Sequence, residues 1–200
     1  MRICEAAGSA AAQTVFTLNL DHVVKMRSDP AFRAAYARAG LITADGFPVV
    51  LAGSLQGIRF DRVAGSDLIA PICAEAARTA KSIFLFGSSP EVLFRASQIL
   101  YARHPGLSIA GALAPPQGFS PTSEEARRCL ETIGESGADL CFVALGAPKQ
   151  ELFADHAKQV LPTVSFVCIG AGLDFITGAQ VRAPTWMQRA GMEWIWRVAC

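Results

Sequence analysis

Short apolar runs alternate along the chain with turns marked by Gly or Pro and with amphipathic stretches. Apolar runs bounded by turn residues read as buried strands, whereas apolar positions at i, i+3, i+4 and i+7 read as one face of a helix. Strands are therefore predicted over Val15 to Leu20, Ser82 to Phe86, Leu140 to Leu145 and Val164 to Ile169. Helices are predicted over Asp29 to Ala39, ended by Gly40, and over Asp67 to Ala80 with Ser66 as cap. Pro90 suits the first turn of a helix that carries Val92, Leu93, Ala96, Ile99 and Leu100 on one stripe. Thr122 and Glu125 have capping-box spacing ahead of a helix reaching Glu135, and Gly146-Ala147-Pro148 precedes one reaching Val160. This alternation predicts an α/β fold, a Rossmann-like parallel sheet with helices on both faces in a single compact domain. A core over residues 14–200 is expected, preceded by a flexible N-terminal segment, 1–13; there is no internal repeat and no low-complexity linker.

In such a sheet ligands bind beyond the carboxyl ends of the strands. The Gly-containing turns after Phe86, Leu145 and Ile169 fall at that edge, which makes Gly87 and Gly146 candidate substrate contacts. Amides at helix starts there suit phosphate groups. No segment completes GxGxxG: counted from Gly170, the second Gly is Gly172 but the sixth position is Phe175, which argues against an NAD-type dehydrogenase.

Polar residues interrupt the apolar pattern at four places. Side chains alternate across a strand, so Phe16, Leu18 and Leu20 are expected on one face and Thr17, Asn19 and Asp21 on the other. A parallel strand buried on both faces is continuously apolar, so the polar face meets a ligand, a polar network or, on an edge strand, water. Asp45 stands between an apolar run and the Gly46-Phe47-Pro48 turn, where a carboxylate either makes the turn or serves as a general base. Arg62, ahead of Ala64-Gly65-Ser66-Asp67, is a candidate anion contact near a helix start, and Gln150 lies in the first turn of the helix after Pro148.

Composition narrows the field. The 200 residues carry 18 Lys or Arg and 17 Asp or Glu, a formal charge of +1, which is no footprint for a nucleic-acid partner. Hydrophobic residues make up 52% and charged ones 18%, enough to bury a sizeable core. Mean hydropathy is +0.33, yet the uncharged stretches Ala6 to Leu20 and Gln159 to Leu173 are only 15 residues each. A spanning helix needs roughly 20. The first 20 residues lack the basic start and clean apolar run of a secretory signal. Six cysteines without a CxxC pair give no zinc or redox signature and read as buried, reduced thiols.

Eight segments, in order, carry a resemblance. They are TLNLDH at Thr17 to His22, ADGFPVV at Ala44 to Val50, RVAGSDL at Arg62 to Leu68 and FLFGSSPE at Phe84 to Glu91, followed by LGAPKQE at Leu145 to Glu151, GAGLDFITG at Gly170 to Gly178, RAPTWM at Arg182 to Met187 and GMEWIWR at Gly191 to Arg197. The chain resembles the bacterial WecG/TagA/CpsF glycosyltransferases, glycosyltransferase family 26. The resemblance implies an inverting, metal-independent enzyme without cofactor. Its donor would be a UDP-sugar of the N-acetylmannosamine type, with UDP-glucose or UDP-N-acetylmannosaminuronic acid as alternatives. Its acceptor would be a polyprenyl-diphosphate-linked saccharide, used in cell-envelope or exopolysaccharide synthesis at the inner face of the cell membrane.

Carried over residue by residue, the resemblance makes Asp45 the catalytic base and places Thr17 and Asn19 in the sugar pocket, with Gln150 and Arg62 as further substrate contacts. One carboxylate suffices for an inverting displacement. No DxD sequence supplies a metal–diphosphate clamp, and no metal site is expected. The resemblance also leads one to expect a basic C-terminal appendage. The chain stops at Cys200, three residues after Arg197, so that appendage is expected to be missing. Trp186 to Val198 reads as an interfacial helix or as a segment packed on the core. The apolar composition also permits a homo-oligomer. Two competing readings are a dinucleotide-binding oxidoreductase and a non-catalytic nucleotide-sugar binder.

Overall fold

The computed structural model describes residues 2–181 together with Ala183, Pro184 and Met187. The expectations for Trp186 to Val198, apart from Met187, lie outside the described residues, as do all of the last segment of the resemblance and three residues of the one before it.

Continuous apolar runs form the centre of the sheet, as two-sided burial requires. In chain order the strands are β1 (Thr14–Leu18), β2 (Leu41–Ala44), β3 (Ser82–Gly87), β4 (Ser108–Leu113), β5 (Leu140–Ala144) and β6 (Ser165–Cys168). They form one sheet in the order β2-β1-β6-β5-β3-β4, with every pair parallel. Successive residues of β5 alternate between two cores: Leu140, Phe142 and Ala144 face one, Cys141 and Val143 the other.

Helices cover both faces, as predicted. Against the first core lie α1 (Arg2–Ala6), α5 (Gly65–Arg78), α6 (Pro90–Arg103) and α9 (Gly172–Thr177). Against the second lie α3 (Pro30–Arg38), α7 (Glu124–Glu135) and α8 (Lys149–Val160). Phe153 on α8 stacks on Phe86 of β3 with ring centroids 4.5 Å apart, and Phe119 and Phe166 meet it edge-on. Two further helices follow the first strands: α2 (Leu20–Ser28) and α4 (Phe47–Leu55). α4 contains no charged residue and no buried one; Phe47, Leu51 and Leu55 are all exposed.

Several local expectations are corrected. The first 13 residues do not stand away from the domain: Ile3, Cys4 and Ala7 are buried in the first core, because α1 brings one apolar side onto α5. The first strand ends at Leu18, so Asn19 is the cap of α2 and Asp21 and Leu20 are helical rather than strand residues. α5 begins earlier than predicted. Ser66 lies inside it, and the Asp67 carboxylate accepts the Ala64 N–H at 3.2 Å. Ser123 rather than Thr122 caps α7, accepting the Ala126 N–H at 3.3 Å.

The connection from β1 to β2 runs over the second core through α3, whereas that from β3 to β4 runs over the first through α6. The chain therefore switches faces between the two halves of the sheet. Beyond the carboxyl ends of β1, β6 and β5 this leaves a crevice that no connection fills.

Candidate functional site

The crevice is a cavity of about 430 Å³. Five chain segments build it: 17–25 from the end of β1 into α2, Asp45 after β2, the start of α5 at Ala64, Gly65 and Ser66, the β5–α8 turn at residues 144–150, and residues 169–180 around α9. Of the residues singled out from the sequence, Thr17, Asn19, Asp45, Gly146 and Gln150 line it.

β1 is an inner strand between β2 and β6, so the polar group at its end is not a solvated edge. Thr17, one residue before the end of β1, is buried. Asn19 caps α2: its Oδ1 accepts the His22 N–H at 3.0 Å, and its Nδ2 lies 3.3 Å from His22 Nε2. His22 Nδ1 is 2.8 Å from the Thr17 carbonyl oxygen and 2.6 Å from the Tyr36 hydroxyl, which itself donates to the same carbonyl at 2.8 Å. Burial and nearby carboxylates push the Tyr36 phenol up, so it stays a neutral donor.

Asp45 follows the end of β2. Its N–H donates to the Leu18 carbonyl at 2.7 Å, which holds it beside the end of β1. Gly46 then takes φ +103°, a turn a side chain would strain, and the chain leaves into α4.

Gln150 is not a helix cap. Although it lines the cavity it is almost wholly buried: its Oε1 accepts the Gly170 N–H at 3.0 Å and its Nε2 donates to Glu151 Oε1 at 2.8 Å. It thereby ties the turn after β5 to the turn after β6. Glu151 is fully buried, and its second oxygen, Oε2, has no hydrogen-bond partner among the described residues. Burial pushes its carboxyl up to about 7, against the pull of the Gln150 bond.

Three carboxylates and one ammonium line the cavity. Asp21 pairs with Lys25 across one helical turn, Asp174 accepts the Ser88 hydroxyl at 3.0 Å, and Asp45 stands at the end of β2. Ser88 itself holds φ +56°, a strained conformation for a residue with a side chain, beside the ligand edge. Among the described residues no cluster of three or more His, Cys, Asp or Glu is arranged to hold a metal ion.

Arg62 and Gly87 do not line the cavity. Residues 62 and 63 run alongside β2, with Ala44 bridging Arg62 and the Val63 N–H donating to Ala44 at 2.8 Å. The Arg62 guanidinium lies 3.7 Å from the Asp67 carboxylate at the start of α5. Gly87 has a packing reason. With φ +111°, a Cβ there would lie 2.3 Å from the Ala144 carbonyl oxygen, so β3 meets β5 this closely only without a side chain.

The residues that pattern reading passed over are His22, Tyr36, Glu151 and Asp174. A signal existed for one of them: on α8 the buried stripe is Gln150, Glu151, Phe153, Ala154 and Ala157, so two polar residues sit at core positions. The others reach the site from the first turns of short helices or, for Tyr36, from across a helix pair, where one-dimensional periodicity carries no sign of them.

The residues around the crevice come from the same segments whose order along the chain carried the resemblance, and the model of the WecG/TagA/CpsF glycosyl transferases matches the chain over residues 1–200. The chain belongs to the WecG/TagA/CpsF glycosyltransferase family.

Proposed function

We propose that this glycosyltransferase moves an N-acetylmannosamine-type sugar from UDP to a polyprenyl-diphosphate-linked saccharide with inversion, and that Asp45 is its base. The observation that carries the reading is the convergence of Asp45, Thr17, Asn19 and Gln150 on one cavity. In the step, an acceptor hydroxyl oxygen attacks the anomeric carbon while the bond from that carbon to the UDP oxygen breaks. Asp45 takes the hydroxyl proton, and UDP leaves with the electron pair.

Charge develops on the leaving diphosphate. The start of α5 at Gly65 and Ser66 lines the same cavity and presents the positive end of a 14-residue helix. Thr17 and Asn19 offer hydrogen bonds to the sugar ring, and Gly146, where an added Cβ would meet nothing within 4 Å, leaves room beside it. The sequence lacks DxD, so the reaction is read as metal-free and cofactor-free. No described helix is long and apolar enough to cross a membrane. The exposed apolar α4, starting two residues after Asp45, supports a peripheral placement at the inner face of the cell membrane, where a lipid-linked acceptor would lie.

The test is UDP release from UDP-N-acetylmannosamine in the presence of a polyprenyl-diphosphate-linked N-acetylglucosamine acceptor. Asp45→Asn is expected to lower kcat on the order of 10²–10⁴-fold, the usual worth of a general base. Full activity in that variant would remove Asp45 from its role.

A further inference from the structure

Asn19 is worth little to a ligand unless its amide is held with the correct end toward the cavity, and what holds it can be worked out atom by atom. The chain of reasoning starts from groups whose hydrogen-bond roles cannot change. The His22 backbone N–H can only donate, so the Asn19 atom 3.0 Å from it is the oxygen Oδ1. The other end of the amide, Nδ2, is then a donor and lies 3.3 Å from His22 Nε2. At the far side of the ring, the Thr17 backbone carbonyl can only accept, and it lies 2.8 Å from His22 Nδ1. Nδ1 therefore carries the hydrogen, and in a neutral imidazole Nε2 is then a bare acceptor.

The Tyr36 hydroxyl fits the same assignment. It donates to the Thr17 carbonyl at 2.8 Å, so its oxygen can only accept from Nδ1, 2.6 Å away, and the one Nδ1–H is shared between that oxygen and the Thr17 carbonyl. The ring is buried and packed edge-on by Phe32 and Tyr36. Every role along the line from Thr17 to Asn19 is thus fixed by the one before it. One hydrogen of the Asn19 amide is spent on His22, and the second is left at the cavity wall that Asn19 lines.

We propose that His22 is a positioning residue, which as the Nδ1–H tautomer orients the Asn19 side-chain amide so that its remaining N–H serves the sugar of the donor. The proposal rests on the donor reading above for the identity of the ligand, but the tautomer and the amide orientation follow from this chain alone.

Two substitutions separate the two ends of the ring. In His22→Gln the side-chain amide reaches as far as Nε2 and can accept from Asn19. In His22→Asn the shorter amide reaches only as far as Nδ1 and can donate to Thr17. A positioning role predicts that His22→Gln keeps donor affinity, whereas a role only in pinning α2 to β1 predicts that His22→Asn does.

The experiment has two arms on the full chain. The first needs no ligand. Long-range ¹H–¹⁵N correlation spectra of the His22 ring should show Nδ1 protonated and Nε2 unprotonated, and the Asn19 side-chain amide signals should persist in His22→Gln and shift in His22→Asn. An Nε2–H tautomer overturns the proposal. The second arm measures UDP-sugar affinity by calorimetry. Asn19→Ala is expected to weaken binding roughly three- to tenfold, one neutral hydrogen bond's worth. His22→Asn should match that loss, and the double variant His22→Asn/Asn19→Ala should lose no more than Asn19→Ala alone. His22→Gln should stay within about twofold of the wild type by the same hydrogen-bond scale. Losses that multiply in the double variant, or wild-type affinity in His22→Asn, overturn the proposal. If the wild-type chain binds no UDP-sugar, the donor reading fails while the spectra still decide the role of His22.

Discussion

Glu151 should make this protein less stable as the solution becomes less acidic, and removing its charge should reverse that. The side chain is fully buried; Gln150 satisfies one carboxyl oxygen, and the other has no hydrogen-bond partner among the described residues. Burial lifts its pKa from the ordinary 4.5 to about 7, with Asp21 pushing the same way and Lys25 and Gln150 opposing. Below pH 4.5 the carboxyl is neutral whether the chain is folded or unfolded, and it contributes nothing. Between 4.5 and about 7 the unfolded chain gives up its proton while the folded chain keeps it, so the free energy of unfolding falls as pH rises. Above that window the full penalty stands. At about 1.4 kcal/mol per pH unit it amounts to roughly 3 kcal/mol.

Glu151→Gln keeps an acceptor for the Gln150 amide and deletes the ionisation. The two proteins should melt alike near pH 4.5. The variant should then gain steadily up to about pH 7.5, reaching roughly 6–12 °C at the usual 2–4 °C per kcal/mol for a chain of this size. Thermal unfolding of both proteins in parallel across that range is the assay, because every other titrating group is shared and cancels in the difference. Curves separated by a constant amount at all pH values would show that Glu151 does not titrate in this window, and the reasoning from burial would be wrong.

Three further outcomes follow from the geometry. Gly87→Ala, which puts a Cβ 2.3 Å from a backbone oxygen at φ +111°, should cost stability in chemical denaturation; a loss of at least about 2 kcal/mol is expected, and a neutral result would refute the close packing of β3 on β5. Gly146→Ala meets nothing within 4 Å and should leave stability unchanged while altering UDP-sugar affinity, since Gly146 lines the cavity; unchanged affinity would take Gly146 out of the site. Cys73, Cys141 and Cys168 are buried, with burial raising the Cys73 thiol to about 12 and the other two further, so native-state labelling with a thiol reagent at pH 8 should reach them only as the protein unfolds; peptide mapping that finds them modified at the rate of an unfolded chain would contradict their burial.

The layered fold was legible because two-sided burial writes itself into sequence as unbroken apolar runs. β3, β5 and β6 were all visible that way. β4 and β2 were not, because both are edge strands whose exposed positions dilute the run. α4 was invisible for the opposite reason: it carries no charged residue and Ser54 alone is polar, so there is no periodicity to detect. The β1 strand misled in a useful way. Its polar positions do line the cavity, but the chain turns into α2 at Asn19, because an Asn that accepts its own helix's N–H ends a strand as readily as it continues one. Alternation predicted three polar residues on one sheet face. The molecule uses Thr17 as a strand residue and Asn19 as a cap, and closes the gap between them through His22.

Gly87 and Gly146 show where sequence reading reaches its physical limit. Gly87 ends the buried strand β3, Gly146 lies just beyond the buried strand β5, and both drew the same expectation. The difference lies in what surrounds the missing Cβ. At Gly87 the space is taken by the backbone of the neighbouring strand, whereas at Gly146 it is open. A glycine in a strand-to-helix turn therefore does not say by itself whether the protein fills the space a side chain would take. The same holds for Arg62, whose cation faces Asp67 at the start of α5 rather than the cavity wall. Asp45 and Gln150, which do line the cavity, have polar groups that interrupt an apolar pattern, at a strand end in one case and on a buried helix stripe in the other. Burying such a group costs folding free energy unless a partner offsets it, so a polar residue in an apolar pattern beside a cavity points to a site.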